Sequence, residues 1–134
     1  MDRRNSILYS ALLLAGVLAT LHFLAVAFYF YWIFWWYDVM MHFLAGLTGG
    51  FASYWVIFHS GLFFKTPQKV SFVILSVLLC MLIAGVAWEV LEYTHGLTDS
   101  HEGYRLDTMN DLILDSAGAV LAALIATRKR KSHG

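Results

Sequence analysis

Proline occurs once in this sequence and cysteine once. A single cysteine forms no disulfide within one chain, so Cys80 does not report on redox compartment. Charge is also scarce: 13% of the 134 residues are charged, against 60% hydrophobic. A water-soluble domain of this length rarely reaches that balance, and the long uncharged stretches point to an integral membrane protein. Apolar/polar alternation is missing too. That argues against strands, since an open sheet could not satisfy its edge groups in lipid.

What is present is four long apolar runs, at about 7–30, 37–63, 70–95 and 107–127. Each is near the roughly 20 residues that cross a hydrocarbon core of about 30 Å. The expectation is an all-α integral membrane four-helix bundle, forming one transmembrane domain over 1–134. The opening MDRRNS looks like the start of a signal peptide. The apolar run behind it is too long for one and shows no convincing cleavage site, so it is read as a retained first helix.

The basic residues set the topology. Arg3 and Arg4 precede the first span, Lys65 and Lys69 lie between the second and third, and Arg128, Lys129, Arg130 and Lys131 follow the fourth. Four spans place all three segments on one side, which the positive-inside tendency makes cytoplasmic. Both termini are then cytoplasmic, in a plasma (inner) membrane. Arg105 is the one basic residue on the other side. The connection YFYWIFWWY (29–37) suits an interfacial aromatic belt.

Acids divide the opposite way. Asp2 is inside, while Asp38, Glu89, Glu92, Asp99, Glu102, Asp107, Asp111 and Asp115 fall outside or in the outer half. Asp38 and His42 are four apart and share one helix face, and Glu89 and Glu92 do so at a spacing of three. Asp107, Asp111 and Asp115 occupy three successive turns. A cap at a helix start accounts for Asp38 or Asp107 alone. It does not account for His42, Glu89, Glu92 or Asp111. His22 and His95 stay open as further members, whereas His59 reads as a polar residue near the cytoplasmic side.

A carboxylate at membrane depth costs at least about 2.5 kcal/mol, so these groups must face the bundle interior or a wet cavity. There they repel one another unless protons, a metal or a cationic substrate compensate. Oxygen-rich donors suit Mg²⁺, Mn²⁺ or Ca²⁺, and mixed Asp/Glu/His sets suit Zn²⁺, Fe²⁺ or Mn²⁺. A divalent ion (Zn, Mn, Fe or Mg) held by Asp38, His42, Glu89, Glu92, Asp107, Asp111 and Asp115 is the expectation. Gly46 and Gly50, with Ala117, Gly118 and Ala122, favour close helix approach beneath that site.

The succession YDVMMHF, WEVLEY and DTMNDL followed by AGA resembles the YjdF-type small bacterial inner-membrane proteins and, more loosely, the VanZ-like family. The resemblance covers the last three spans and implies Asp38, His42, Glu89, Glu92, Asp107 and Asp111 as shared motif residues. It implies no settled reaction, and Asp115 stands where a less polar residue is expected.

Three functions follow. The first is a metal-dependent hydrolase or transferase acting on a lipid or lipophilic substrate from the outer leaflet, with Glu89 or Glu92 as base and Arg105 steering a phosphate. The second is a cation or proton transport component; the acid-free inner halves of the helices weigh against it. The third is a non-catalytic accessory subunit. Expected partners are membrane lipids and a lipid-like substrate, with no nucleic acid; a homo-oligomer stays open.

Overall fold

The computed structural model describes residues 3–64, 66, 68–95 and 103–131. Described residues form five helices: α1 (Arg3–Ala27), α2 (Phe30–Ile33), α3 (Trp35–Phe58), α4 (Val70–His95) and α5 (Tyr104–Lys131). Four of them are long and apolar enough to cross a membrane: Asn5–Ala27, Trp35–Phe58, Val70–His95 and Arg105–Arg128. Asp2, Lys65, Asp99, His101 and Glu102 lie outside the described residues.

The third span falls where the sequence puts it, and the other three differ at their ends. Helix α1 stops at Ala27, because Tyr29 takes a left-handed conformation (φ 60°, ψ 32°). That conformation costs a non-glycine residue roughly 1–2 kcal/mol. Ring contacts offset it: Phe28 stacks on Phe30, Tyr29 meets Trp32, and Tyr31 meets Tyr37 edge-on. Aromatic pairs contribute about 0.5–1.5 kcal/mol each. The expected aromatic belt is therefore a folded knot containing the single-turn α2.

Helix α3 begins at Trp35 and ends at Phe58, five residues short of the expected Phe63. The Trp55 carbonyl accepts the amides of both His59 and Ser60, closing the helix. Gly61 then turns the chain with φ 82°, which glycine adopts without steric cost. Helix α5 starts earlier than 107, because the Gly103 carbonyl accepts the amides of Leu106 and Asp107. Asp107 thus sits inside the first turn instead of capping it.

Helix packing is unequal around the bundle. Helices α3 and α5 run closest together, α4 packs on both, and α1 packs chiefly on α3. A Cβ on Gly50 would lie 2.8 Å from the Ala119 Cα, and one on Gly118 would enter the backbone of Phe43 and Leu47. Lipid tails are as apolar as leucine, so such van der Waals fit, more than hydrophobic burial, holds spans together. One apolar cluster fills the end where α1 begins and α5 finishes: Ile7, Ala11, Phe51, Tyr54, Val73, Val77, Met81, Ala119, Ala122, Ala123 and Ala126. A smaller one at the opposite end joins Ala25, Tyr37 and Met41 beneath the aromatic knot.

Candidate functional site

The close approach of α3 and α5 continues upward from Gly46 and Gly118 into a polar layer. Helix periodicity stacks Asp38 over His42 on α3, and Asp107, Asp111 and Asp115 along α5. With so little space between the two backbones, these side chains meet. His42 is their hub. Its Nε2 lies 3.7 Å from Asp38 Oδ1 and 3.5 Å from Asp111 Oδ2, and its Nδ1 lies 3.4 Å from Asp115 Oδ1.

Exposure is graded across the group. The side chains of His42, Asp111 and Asp115 keep only 11%, 6% and 9% of their surface, whereas Asp38 keeps 39%. Asp38 therefore marks the mouth, and Asp115 is the member furthest along α5, one turn beyond Asp111. Asp115 Oδ1 is buried with no hydrogen-bond partner among the described residues. One imidazole nitrogen of His42 and one oxygen each from Asp38 and Asp111 lie within 4.8 Å of one another, a spacing that could hold a metal ion.

Helix α4 supplies a second carboxylate layer. Glu89 is buried and accepts a 2.7 Å hydrogen bond from Thr108 Oγ1 on α5. Glu92 is half-buried beside Trp88 and faces Glu89, His42 and Asp38. Asp107 is half-buried one turn above Asp111 and adds to the negative field there.

The two undecided histidines are engaged elsewhere. His95 Nδ1 lies 2.8 Å from the Leu91 carbonyl of its own helix, at an exposed helix end. His22 Nδ1 lies 2.9 Å from the Tyr31 hydroxyl. Burial and then the negative charge of Asp38 push the Tyr31 phenol up to about 12, which ties the aromatic knot electrostatically to the acidic layer.

Sequence reasoning missed Thr108, Gly85 and Tyr31. Thr108 follows Asp107 directly and gives no signal of its own. Gly85 lies one turn before Glu89 on α4; a Cβ there would approach Asp115 Oδ2 to 3.2 Å. Tyr31 is hidden among eight neighbouring aromatic and apolar residues, YFYWIFWWY.

A family model described as "Predicted membrane protein (DUF2238)" matches residues 1–132. YjdF is a member of that family, so the YjdF-type resemblance stands; the VanZ-like one is not shown. No curated protein and no solved structure matches the chain.

Proposed function

The chain belongs to the DUF2238 family of predicted membrane proteins, and on that footing we propose that it binds a divalent cation through Asp38, His42 and Asp111. One observation carries the reading: two helices bring one imidazole nitrogen and two carboxylate oxygens within 4.8 Å. Donors bound at about 2.0–2.3 Å around a tetrahedral or octahedral ion stand roughly 2.8–3.8 Å apart. The 3.5 and 3.7 Å separations around His42 Nε2 fall in that range. One imidazole with two carboxylates suits Zn²⁺, Mn²⁺ or Fe²⁺ better than Ca²⁺. Glu89, Glu92, Asp107 and Asp115 shape the surrounding charge.

The basic residues favour cytoplasmic termini in a plasma (inner) membrane, with the site near the extracytoplasmic surface. A lipid or another lipophilic molecule bearing a phosphoryl or carbonyl group is then the natural substrate, in a hydrolase or transferase reaction. A bound cation supplies polarisation of such an oxygen or a low-pKa water. Glu89 or Glu92 acts as proton acceptor, and Asp38 lines the route in. A transport role is less favoured. The apolar cluster from Ile7 to Ala126 fills the other half of the bundle and contains no acid.

The test is elemental analysis and calorimetric titration of purified protein in lipid nanodiscs with Zn²⁺, Mn²⁺, Fe²⁺ and Mg²⁺. Wild type should hold about one ion per chain, and His42→Ala and Asp111→Asn should hold none. Wild type that binds none of the four refutes the reading.

A further inference from the structure

We propose that Asp115 is a positioning residue: it engages the Nδ1 side of the His42 ring, so that Nε2 is the nitrogen offered between Asp38 and Asp111. This inference rests on the cation reading above and assigns a carboxylate which that reading leaves outside the ligand set.

Asp115 faces the opposite ring nitrogen from the other two acids. Its Oδ1 lies 3.4 Å from Nδ1, while Asp38 and Asp111 both approach Nε2. An imidazole offers one nitrogen to an ion and can donate from the other. Metal-bound histidines commonly donate that second N–H to a carboxylate, which fixes the ring orientation.

The surroundings leave Asp115 Oδ1 no other evident use. It is buried, and no described residue gives it a hydrogen bond. The rest of the residue is hemmed in by apolar neighbours: Gly46 on α3 packs on its backbone, and Gly85 on α4 stands beside Oδ2. A buried carboxylate oxygen left without a donor is costly. The His42 N–H is the donor within reach, and 3.4 Å is longer than a well-formed bond. Hydrogen bonds around such sites are often long until the site fills.

The backbone is also cut to receive this side chain. A Cβ on Gly85 would stand 3.2 Å from Asp115 Oδ2 and 2.8 Å from Leu112 Cδ2. Glycine therefore leaves the carboxylate its place against α4. Further along α5 the buried positions are Ala119, Ala122, Ala123 and Ala126, so a carboxylate at 115 departs from the small apolar residues that follow it.

The experiment uses full-length protein in nanodiscs, labelled with ¹⁵N-histidine and titrated with Zn²⁺, the His42 signals being assigned by difference from His42→Ala. In zinc-loaded wild type, Nε2 should carry the metal shift and Nδ1 a bonded proton. Asp115→Leu removes the acceptor while keeping the same branched shape. It should weaken zinc binding by roughly 10- to 100-fold and shift the Nδ1 signal. Asp115→Asn keeps an oxygen acceptor and should lose less. Zinc on Nδ1 in wild type overturns the proposal, and that result does not depend on any variant folding. So does an Asp115→Leu protein whose His42 signals match wild type, even if its affinity falls, since a merely structural role would do that. Wild type that binds no zinc or other cation sinks the parent reading instead.

Discussion

Gly46 on α3 has no room for a Cβ, because the carbonyl group of Asp115 on α5 occupies that position. The contact fixes how deep Asp115 sits beneath His42, so packing and site geometry share one seam. Gly46→Ala should force the two backbones apart. Overpacking costs about 1–3 kcal/mol or more, and cation affinity should fall with it. Thermal unfolding in detergent, followed beside Gly16→Ala, checks this. Gly16 has nothing within 4 Å of its absent Cβ, so its variant should unfold near wild type.

His42 is the base shared by three carboxylates, two of them buried. With His42 protonated, removing it leaves the buried carboxylates without their cation, a loss of about 3–5 kcal/mol. His42→Ala should therefore destabilise the metal-free protein. Adding Asp111→Asn should recover part of the loss. A double-mutant cycle in the absence of metal measures the coupling; strictly additive losses would contradict shared compensation.

Thr108 is joined to Glu89 by the 2.7 Å bond between α5 and α4. Leaving a buried acceptor without its donor costs about 1–3 kcal/mol. Thr108→Val keeps the shape and removes the donor, so it should lose an amount of that order. Thr108→Ser should stay near wild type. Equal unfolding temperatures for the valine and serine variants would show that Glu89 does not depend on this donor.

Tyr31 gives a pH signature. Its phenol is pushed up from 10.0 to about 12, first by burial and then by Asp38. The folded state thus holds this proton more tightly than the unfolded chain. The resulting stability is fully present below pH 10 and is lost as pH rises toward 12. Ultraviolet titration should show the phenolate signal of Tyr31, isolated as the difference from Tyr31→Phe, near pH 12. Asp38→Asn should move it downward. A Tyr31 transition at the ordinary value of 10.0 would remove the link between knot and site.

Much of this arrangement is legible in the sequence because helix periodicity is rigid. Asp38 and His42 at a spacing of four, and Asp111 and Asp115 likewise, had to share faces once helices formed, and they do face one another. What pattern alone does not carry is the partition of His42 between its two nitrogens. That depends on how far α3 and α5 approach, a tertiary distance set by Gly46, Gly50 and Gly118. The break at Tyr29 is equally hidden. A run as apolar as Ile7–Phe30 reads as continuous helix, and the ring contacts at its break draw in Trp32 and Tyr37, which lie beyond its end. Helix ends fail for a related reason, since Gly61 and Gly103 act through φ values of 82° and 86° that composition does not specify.

The alanine seam of α5 has a kinetic meaning. Ala119, Ala122, Ala123 and Ala126 share one buried cluster with Phe51 and Tyr54, and among the described residues that cluster closes off the polar layer from below. On the function proposed above, a molecule that reaches His42 past Asp38, the most exposed of the four side chains, would leave the same way. Arrival and departure then compete for one doorway, so a molecule retained there would act as a stopper. Turnover in such a vessel would be governed by how quickly the mouth clears.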